Sequence, residues 1–343
     1  MRYSHLILSV LLSAMFITSV SCSMTQQPSA VERDVFAMDT FMTMKAYGDR
    51  AEKALEAADK RIHELEKELS VTDEDSDIFR INNSNGFEVT VSEDTTFLIN
   101  ESMNYWNETK GRLDISVYPL VAEWGFTTGE YHVPDTETIS KLLNNVNGGN
   151  IKISDNTVQI PSDSKIDLGA IAKGYTGDQI IEIFRNYEIS SALISLGGNV
   201  QALGRKPDGS PWRVAIKDPF SPEDNMCVVN VSDKAVVTSG NYERFFTDEN
   251  GNEYWHIIDP YDGYPADNGL VSVTVIGESG MRCDALSTAL FVAGTTEAKD
   301  YLKYYQEVEA VLVTDDARIL YTEGLNGRID IKSDMQSEVI MRD

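Results

Sequence analysis

Four stretches of this 343-residue chain bring together side chains that could do chemistry. The first, KIDLGAIAKGYTGDQI at 165–180, ends a strand-like run at Asp167 and turns through Gly169 into good helix formers. It can be read two ways. Asp167 can cap the helix while Lys173 stands in solvent, or the turn's backbone and Lys173 can face a phosphate group. The second stretch, MRCDALSTALFVAG at 281–294, spaces Asp284 and Thr288 four residues apart, which puts both oxygens on one helical face. Carboxylate, hydroxyl and carbonyl oxygens suit a hard cation such as Mg²⁺, which takes few protein ligands and adds substrate phosphates. A capping acid and a helix-buried threonine would produce the same pattern. The third, YWHIIDPYDGYP at 254–265, has turns at Asp259-Pro260 and Asp262-Gly263 that set His256 at a strand end. Of the four histidines it has the context best suited to a general base, beside the plainer reading of a structural histidine. The fourth group is GRLDISVYPLVAEWGF at 111–126, SLGGN at 195–199 and TSGNYERFF at 238–246. Each joins glycine to hydroxyl or amide groups at a strand end. No GxxxxGK[ST] loop, GxGxxG fingerprint, G-x-S-x-G elbow or Ser-His-Asp spacing occurs.

Regular elements must hold these groups. Ala51, Ala54, Leu55, Ala58, Ile62, Leu65 and Leu69 recur at helical spacing over 50–69, with His63 on the polar side. Further helices are expected over about 94–108 and 135–146, the last stopped by Gly148-Gly149. Strand patterns fall at 87–91, 151–160, 212–216, 235–239 and 271–276, and 308–322 reads as two strands around an Asp-Asp turn. Adjacent strand pairs imply antiparallel pairing, so the expected class is α+β rather than a doubly wound sheet.

Composition narrows the function. Arg2 precedes an apolar run from Leu6 to Val20, and Ser19, Ser21 and Ser23 surround Cys22. That is an export signal, too short to span a bilayer with confidence. Two outcomes are open: ordinary cleavage, or lipoprotein processing that leaves lipidated Cys22 as the first residue, the preferred reading. Residues 22–33 then form a flexible polar tether. Removing residues 1–21 takes away Arg2 alone, leaving 28 basic against 55 acidic residues, a net charge of −27. Such a field repels nucleic acid and anionic membrane surfaces, and repels a phosphorylated ligand unless cations act locally. The remaining cysteines, Cys227 and Cys283, read as buried small residues, with a pairing left open.

Taken in order, these stretches resemble the ApbE family of FAD:protein FMN transferases, over roughly residues 34–325. Met38-Asp39-Thr40 matches a family Met-x-Thr near the N-terminus. LDISVYPLV at 113–121, DLGAIAKGY at 167–175, SLGGN, TSGNYERF, HIIDP at 256–260 and DALSTAL at 284–290 follow in register. The resemblance implies a two-lobed α+β (T-fold-like) catalytic domain over 34–343, with mixed and antiparallel sheets and the ligand between lobes. It implies an enzyme that uses Mg²⁺ to split FAD, transfers FMN to a threonine of an acceptor protein and releases AMP. The metal set would be the Ala170 carbonyl, Asp284 and Thr288, with Ser287 where some members carry another acid. Flavin and nucleotide contacts would fall on Met38, Thr72, Leu113, Asp114, Ile115, Ser116, Asp167, Lys173, Gly197, Gly198, Ser239, Gly240, His256 and Ile258. Lys173 would offset phosphate charge and His256 would help deprotonate the acceptor. The acceptor would be an electron-transport subunit on the outer face of the inner membrane. Thr72 departs from the aromatic that many members place there, which bears on the balance between transfer and simple FAD hydrolysis. A Mg²⁺-dependent FAD pyrophosphatase and a non-catalytic flavin-binding lipoprotein are the alternatives.

Overall fold

The computed structural model describes residues 29–342. The signal sequence, Cys22 and the tether up to residue 28 lie outside the described residues. The tether expectation ran to residue 33, but the strand Ala30–Ala37 begins earlier and pairs antiparallel with Thr40–Tyr47 from Ala30↔Tyr47 onwards. The AVERDVFA alternation lets Val35 and Ala37 face the core, which is why this segment is sheet rather than linker.

Seven helices follow the first hairpin: α1 (Ala51–Leu69), α2 (Asp77–Asn82), α3 (Glu93–Glu108), α4 (Tyr118–Glu123), α5 (Thr136–Leu143), α6 (Ala172–Asn186) and α7 (Gly280–Tyr304). The apolar stripe read from the sequence is the buried face of α1. Ser76, Ser92 and Asp135 cap α2, α3 and α5 by accepting from backbone N–H groups three residues on. Helix α5 stops at Leu143, short of the expected Val146. The 151–160 strand is a hairpin of Lys152–Ser154 and Thr157–Gln159, turning at Asp155, and only Val89–Thr90 of the 87–91 run pairs with it. Among the described residues, no helix is long and apolar enough to cross a membrane.

A nine-stranded sheet organises the chain, and its strands run antiparallel except where Arg318–Thr322 pairs with Gln336–Ile340. This is the α+β arrangement expected. One face packs on helices. Met42, Met44 and Ile194 meet Leu55, Ile62 and Phe184 of α1 and α6, and Val273, Val275 and Leu312 meet Leu286 and Leu290 of α7. The opposite face carries a three-stranded sheet whose Trp212, Val214, Ile216 and Val229 cover Val236, Ile276 and Val311. Cys227 and Cys283 are free and buried in different clusters, so the open question of their pairing is answered in the negative.

Helices α6 and α7 cross with backbone almost in contact. A Cβ on Gly174 would lie 2.3 Å from the Gly280 carbonyl oxygen, and one on Gly280 would lie 1.6 Å from Gln201 Nε2. Polar bonds lock the crossing. Asp178 of α6 accepts from Ser279 Oγ (2.8 Å) and from the N–H groups of Gly280 (2.6 Å) and Met281 (3.0 Å), so an acid of one helix satisfies the positive end of the other. Gln201 Nε2 donates to the Gly174 carbonyl at 3.1 Å. Gly174→Ala forces the helices apart and should lower stability by about 1–3 kcal/mol. A thermal melt followed by circular dichroism checks it, and an unchanged midpoint would contradict the tight crossing.

Candidate active site

The crossing places Asp284 against the start of α6. Gly174 N–H donates to Asp284 Oδ2 at 2.8 Å instead of to the carbonyl of Ala170 four residues back. Among the described residues the Ala170 carbonyl therefore accepts no hydrogen bond, although Ala170 lines a cleft of about 950 Å³. Asp284, 5% exposed, and Thr288, one helical turn on, line the same cleft. Burial raises the Asp284 carboxyl above the usual range, and Lys173 opposes the rise. Thr288 Oγ1 lies 3.2 Å from Ser239 Oγ, which also bonds Ser287 Oγ at 2.8 Å. Ser287 is wholly buried and donates to the Asp284 carbonyl at 2.9 Å, so it stands behind the cleft wall rather than in the set of oxygens facing it.

Most residues singled out from the sequence come together in this cleft: Met38, Thr72, Leu113, Asp114, Ile115, Asp167, Ala170, Lys173, Gly197, Gly198, Ser239, His256, Ile258, Asp284 and Thr288 all line it. Three of the expected set do not: Ser116, Gly240 and Ser287. Ser116 is buried and turned towards Asp114, donating to Oδ1 from both Oγ (2.6 Å) and N (2.8 Å). Gly240 makes room for the ring of Tyr242, which a Cβ there would meet at 2.5 Å.

Asp114 lines the cleft with its carboxylate already engaged by donors of the chain: one oxygen takes both bonds from Ser116. Its other oxygen accepts from Trp106 Nε1 and Gly148 N, each at 2.9 Å, so four donors occupy the carboxylate. The segment turns into a short 3₁₀ helix, Ile115–Val117, and then α4, rather than ending a strand. Asp167 does not cap α6, whose N-cap position is Ile171 and has no side-chain cap. Its Oδ1 accepts from Gly169 N at 2.9 Å, and burial raises its pKa. That leaves its carboxylate facing the cleft.

A match to a family model comes with this geometry: the model described as the ApbE family covers residues 38–312. This chain belongs to the ApbE family. A relative from Escherichia coli (strain K12), a "FAD:protein FMN transferase", is 30% identical over 88% of this chain and 91% of its own length. One of the same name from Treponema pallidum is 28% identical over 91% of this chain and 92% of its own. The crystal structure of an ApbE protein from Thermotoga maritima superposes with a TM-score of 0.82 at 32% identity, covering 88% of this chain and 99% of that one.

Several groups in this ApbE-family cleft escaped the sequence reading. Lys217, Tyr242, Glu243, Arg244 and Asn199 all line it. Glu243 and Arg244 sat inside the quoted TSGNYERFF stretch, where alternation along an irregular segment could not say which side chains turn inwards. Arg112 also lines the cleft, but it is tied to Asp259 (3.3 Å) and to Glu297 through two donors. Lys173, Lys217 and Arg244 differ: among the described residues none has an acid within 4.0 Å. Glu243 opens onto the cleft, yet the surrounding walls push its carboxyl up to about 7, with Lys173 and Lys217 pulling the other way.

His256 directly follows the strand Glu253–Trp255, as the turn residues implied, and is half-buried. Its Nδ1 lies 3.3 Å from the Arg244 carbonyl oxygen. A carbonyl can only accept, so Nδ1 carries the proton and Nε2 keeps its lone pair. Burial, reinforced by Arg244 and Lys173, lowers the imidazole pKa to about 3. The ring is therefore expected to stay neutral from about pH 5 to 8, the range in which an unperturbed histidine changes charge. Lys173→Met should move its pKa upwards by removing one of the cations that depress it. Imidazole ¹⁵N shifts across a pH titration read both, and a midpoint near the ordinary value in the parent protein would contradict this account.

Proposed function

We propose that this chain is a FAD:protein FMN transferase that works with Mg²⁺, attaching FMN by a phosphoester bond to a threonine of an acceptor protein and releasing AMP. One observation carries the reading: the Ala170 carbonyl, freed when Gly174 N–H turns to Asp284, lies in one cleft with Asp284, Thr288 and Lys173, which has no acid within 4.0 Å among the described residues. The names of the E. coli and T. pallidum relatives support it.

The residues present fit the metal. Ala170, Asp284 and Thr288 offer only oxygen, and no group of three or more His, Cys, Asp or Glu among the described residues makes a self-sufficient site. Such a sparse oxygen set suits Mg²⁺, whose remaining positions go to water and phosphate. When bound, the ion would neutralise the charge that develops on a dividing diphosphate.

The chain's own groups supply the rest. Lys173 of α6 offsets phosphate charge, and Lys217 and Arg244, which line the same cleft, add to it. In the transfer, the acceptor's hydroxyl oxygen forms a bond to the FMN phosphorus while the phosphorus–oxygen bond to AMP breaks, and AMP leaves with that electron pair. The hydroxyl proton goes to His256 Nε2. A ring of pKa about 3 is a weak base by itself. A diphosphate beside Lys173 and Arg244 offsets the two cations that depress it, so proton affinity rises as substrate arrives. Met38, the backbone of Leu113 to Ile115, Asp167, Gly197, Gly198, Ser239 and Ile258 would hold the flavin and nucleotide. Thr72, exposed and within hydrogen-bond reach of Ser70 Oγ (3.1 Å), has no ring to stack on the ligand, which leaves FAD hydrolysis as a competing outcome.

Incubating the purified chain with FAD, Mg²⁺ and a candidate acceptor domain, then measuring acceptor mass and free nucleotides, tests the proposal. Acceptor gaining one FMN with AMP release is expected. FMN and AMP without acceptor gain would point to a pyrophosphatase, and intact FAD to a binding protein. Asp284→Ala should cut the Mg²⁺-dependent rate by on the order of a hundredfold or more. We also propose export and lipid anchoring at Cys22, with an acceptor among electron-transport subunits on the same side of the membrane. Cys22→Ala should then move the chain from the membrane fraction to the soluble one, and unchanged fractionation would refute the anchor.

A further inference from the structure

The SLGGN stretch has a consequence beyond lining the cleft. The strands Ser191–Leu196 and Asn199–Gly204 form a hairpin closed by Gly197 and Gly198, both at positive φ (58° and 97°). That is the backbone a two-residue turn demands. The turn delivers Asn199 to the cleft wall, where the residue is 4% exposed. Its amide nitrogen, Nδ2, is buried with no hydrogen-bond partner among the described residues. Leaving a buried N–H donor unpaired ordinarily costs about 1–3 kcal/mol.

The neighbour of that donor is Asp284. The Asn199 amide lies close enough to oppose the burial-driven rise of the Asp284 carboxyl, although no hydrogen bond of ordinary geometry joins them. Of the two Asp284 oxygens, Oδ2 is held by Gly174 N–H and Oδ1 accepts no bond among the described residues. A buried donor without an acceptor thus stands beside a buried carboxylate with one oxygen unheld. We infer that Asn199 is a positioning residue for Asp284: its Nδ2–H₂ donates to Oδ1 when the carboxylate turns towards a divalent cation, and so fixes the plane of the carboxylate from the side opposite Gly174. Partners of this kind orient a metal-binding carboxylate and commonly change metal affinity by about 10–100-fold when removed. The inference rests on the metal reading of Ala170, Asp284 and Thr288 and adds the group that holds the acid in place.

The test uses Mn²⁺ as the probe, with ADP present, and reads free ion by electron paramagnetic resonance in the whole protein and in Asn199→Ala and Asn199→Leu. Leucine keeps the branched shape without the donor. Expected is Mn²⁺ affinity weakened about 10–100-fold in both variants at an unchanged melting midpoint. FMN transfer should require more Mg²⁺ but recover at saturation. Affinity within twofold of the parent in both variants would overturn the inference, as would a loss that merely tracks a fall in the melting midpoint. If the parent itself bound no Mn²⁺ with ADP, the metal reading would fail first, and that result is distinct from a parent that binds and variants that bind equally well.

Discussion

The site depends on the absence of side chains where α6 crosses α7. Gly174 and Gly280 let the two helices meet backbone to backbone, and only at that distance can Gly174 N–H reach the Asp284 carboxylate. The same bond decides two things. It pins one oxygen of Asp284, and it diverts a helical N–H so that the Ala170 carbonyl is left facing the cleft. Asp178 and Gln201 hold the arrangement by satisfying the first N–H groups of α7 and the carbonyl of Gly174. An ordinary helix start would have consumed the Ala170 carbonyl internally, and Asp284 would have remained a buried acid with no polar partner.

The electrostatics of the cleft are unsatisfied in both senses. Asp167 and Asp284 are pushed up by burial, and His256 is pushed down by burial and by neighbouring cations. Among the described residues, Lys173, Lys217 and Arg244 have no acid within 4.0 Å. In a chain of net charge −26 these three cations share one cleft, Lys217 and Arg244 exposed and Lys173 half-buried, and Lys173 pulls down the carboxyls of Asp167, Asp284 and Glu243 without forming an ion pair. On the proposed function, a cation beside Asp284 would offset the buried carboxylates and a diphosphate beside Lys173 would offset the cations. The general acidity of the chain repels polyanions such as nucleic acid.

Much of the fold could be read along the chain. The α1 stripe, the helix over about 94–108 and the strands at 235–239 and 271–276 are local signals, and the structure places each close to where the sequence implied. What failed locally failed for tertiary reasons. Ala30–Arg33 looked like linker because a four-residue polar-rich segment carries no period, yet pairing with Met44–Tyr47 makes it strand. The Asp114 segment looked like a strand end, but its carboxylate caps a short 3₁₀ turn by accepting from Ser116 N–H and is held by Trp106 of α3 and by Gly148. Ser287 entered the expected metal set only through the family resemblance, and its helical phase turns it to Ser239.

By itself the sequence determined which residue types were available and in what order: an acid and a threonine one helical turn apart, a lysine after a glycine turn, a histidine at a strand end. Spacing along one helix or strand is enforced by backbone geometry, so those relations survive folding. It could not say that Gly174 would give its N–H to an acid 110 positions away, that Asn199 would be buried beside that acid, or that Lys217 and Arg244 would converge on Lys173. Those are distances between elements, set by a helix crossing and by a hairpin packed on a sheet, and no local period encodes them.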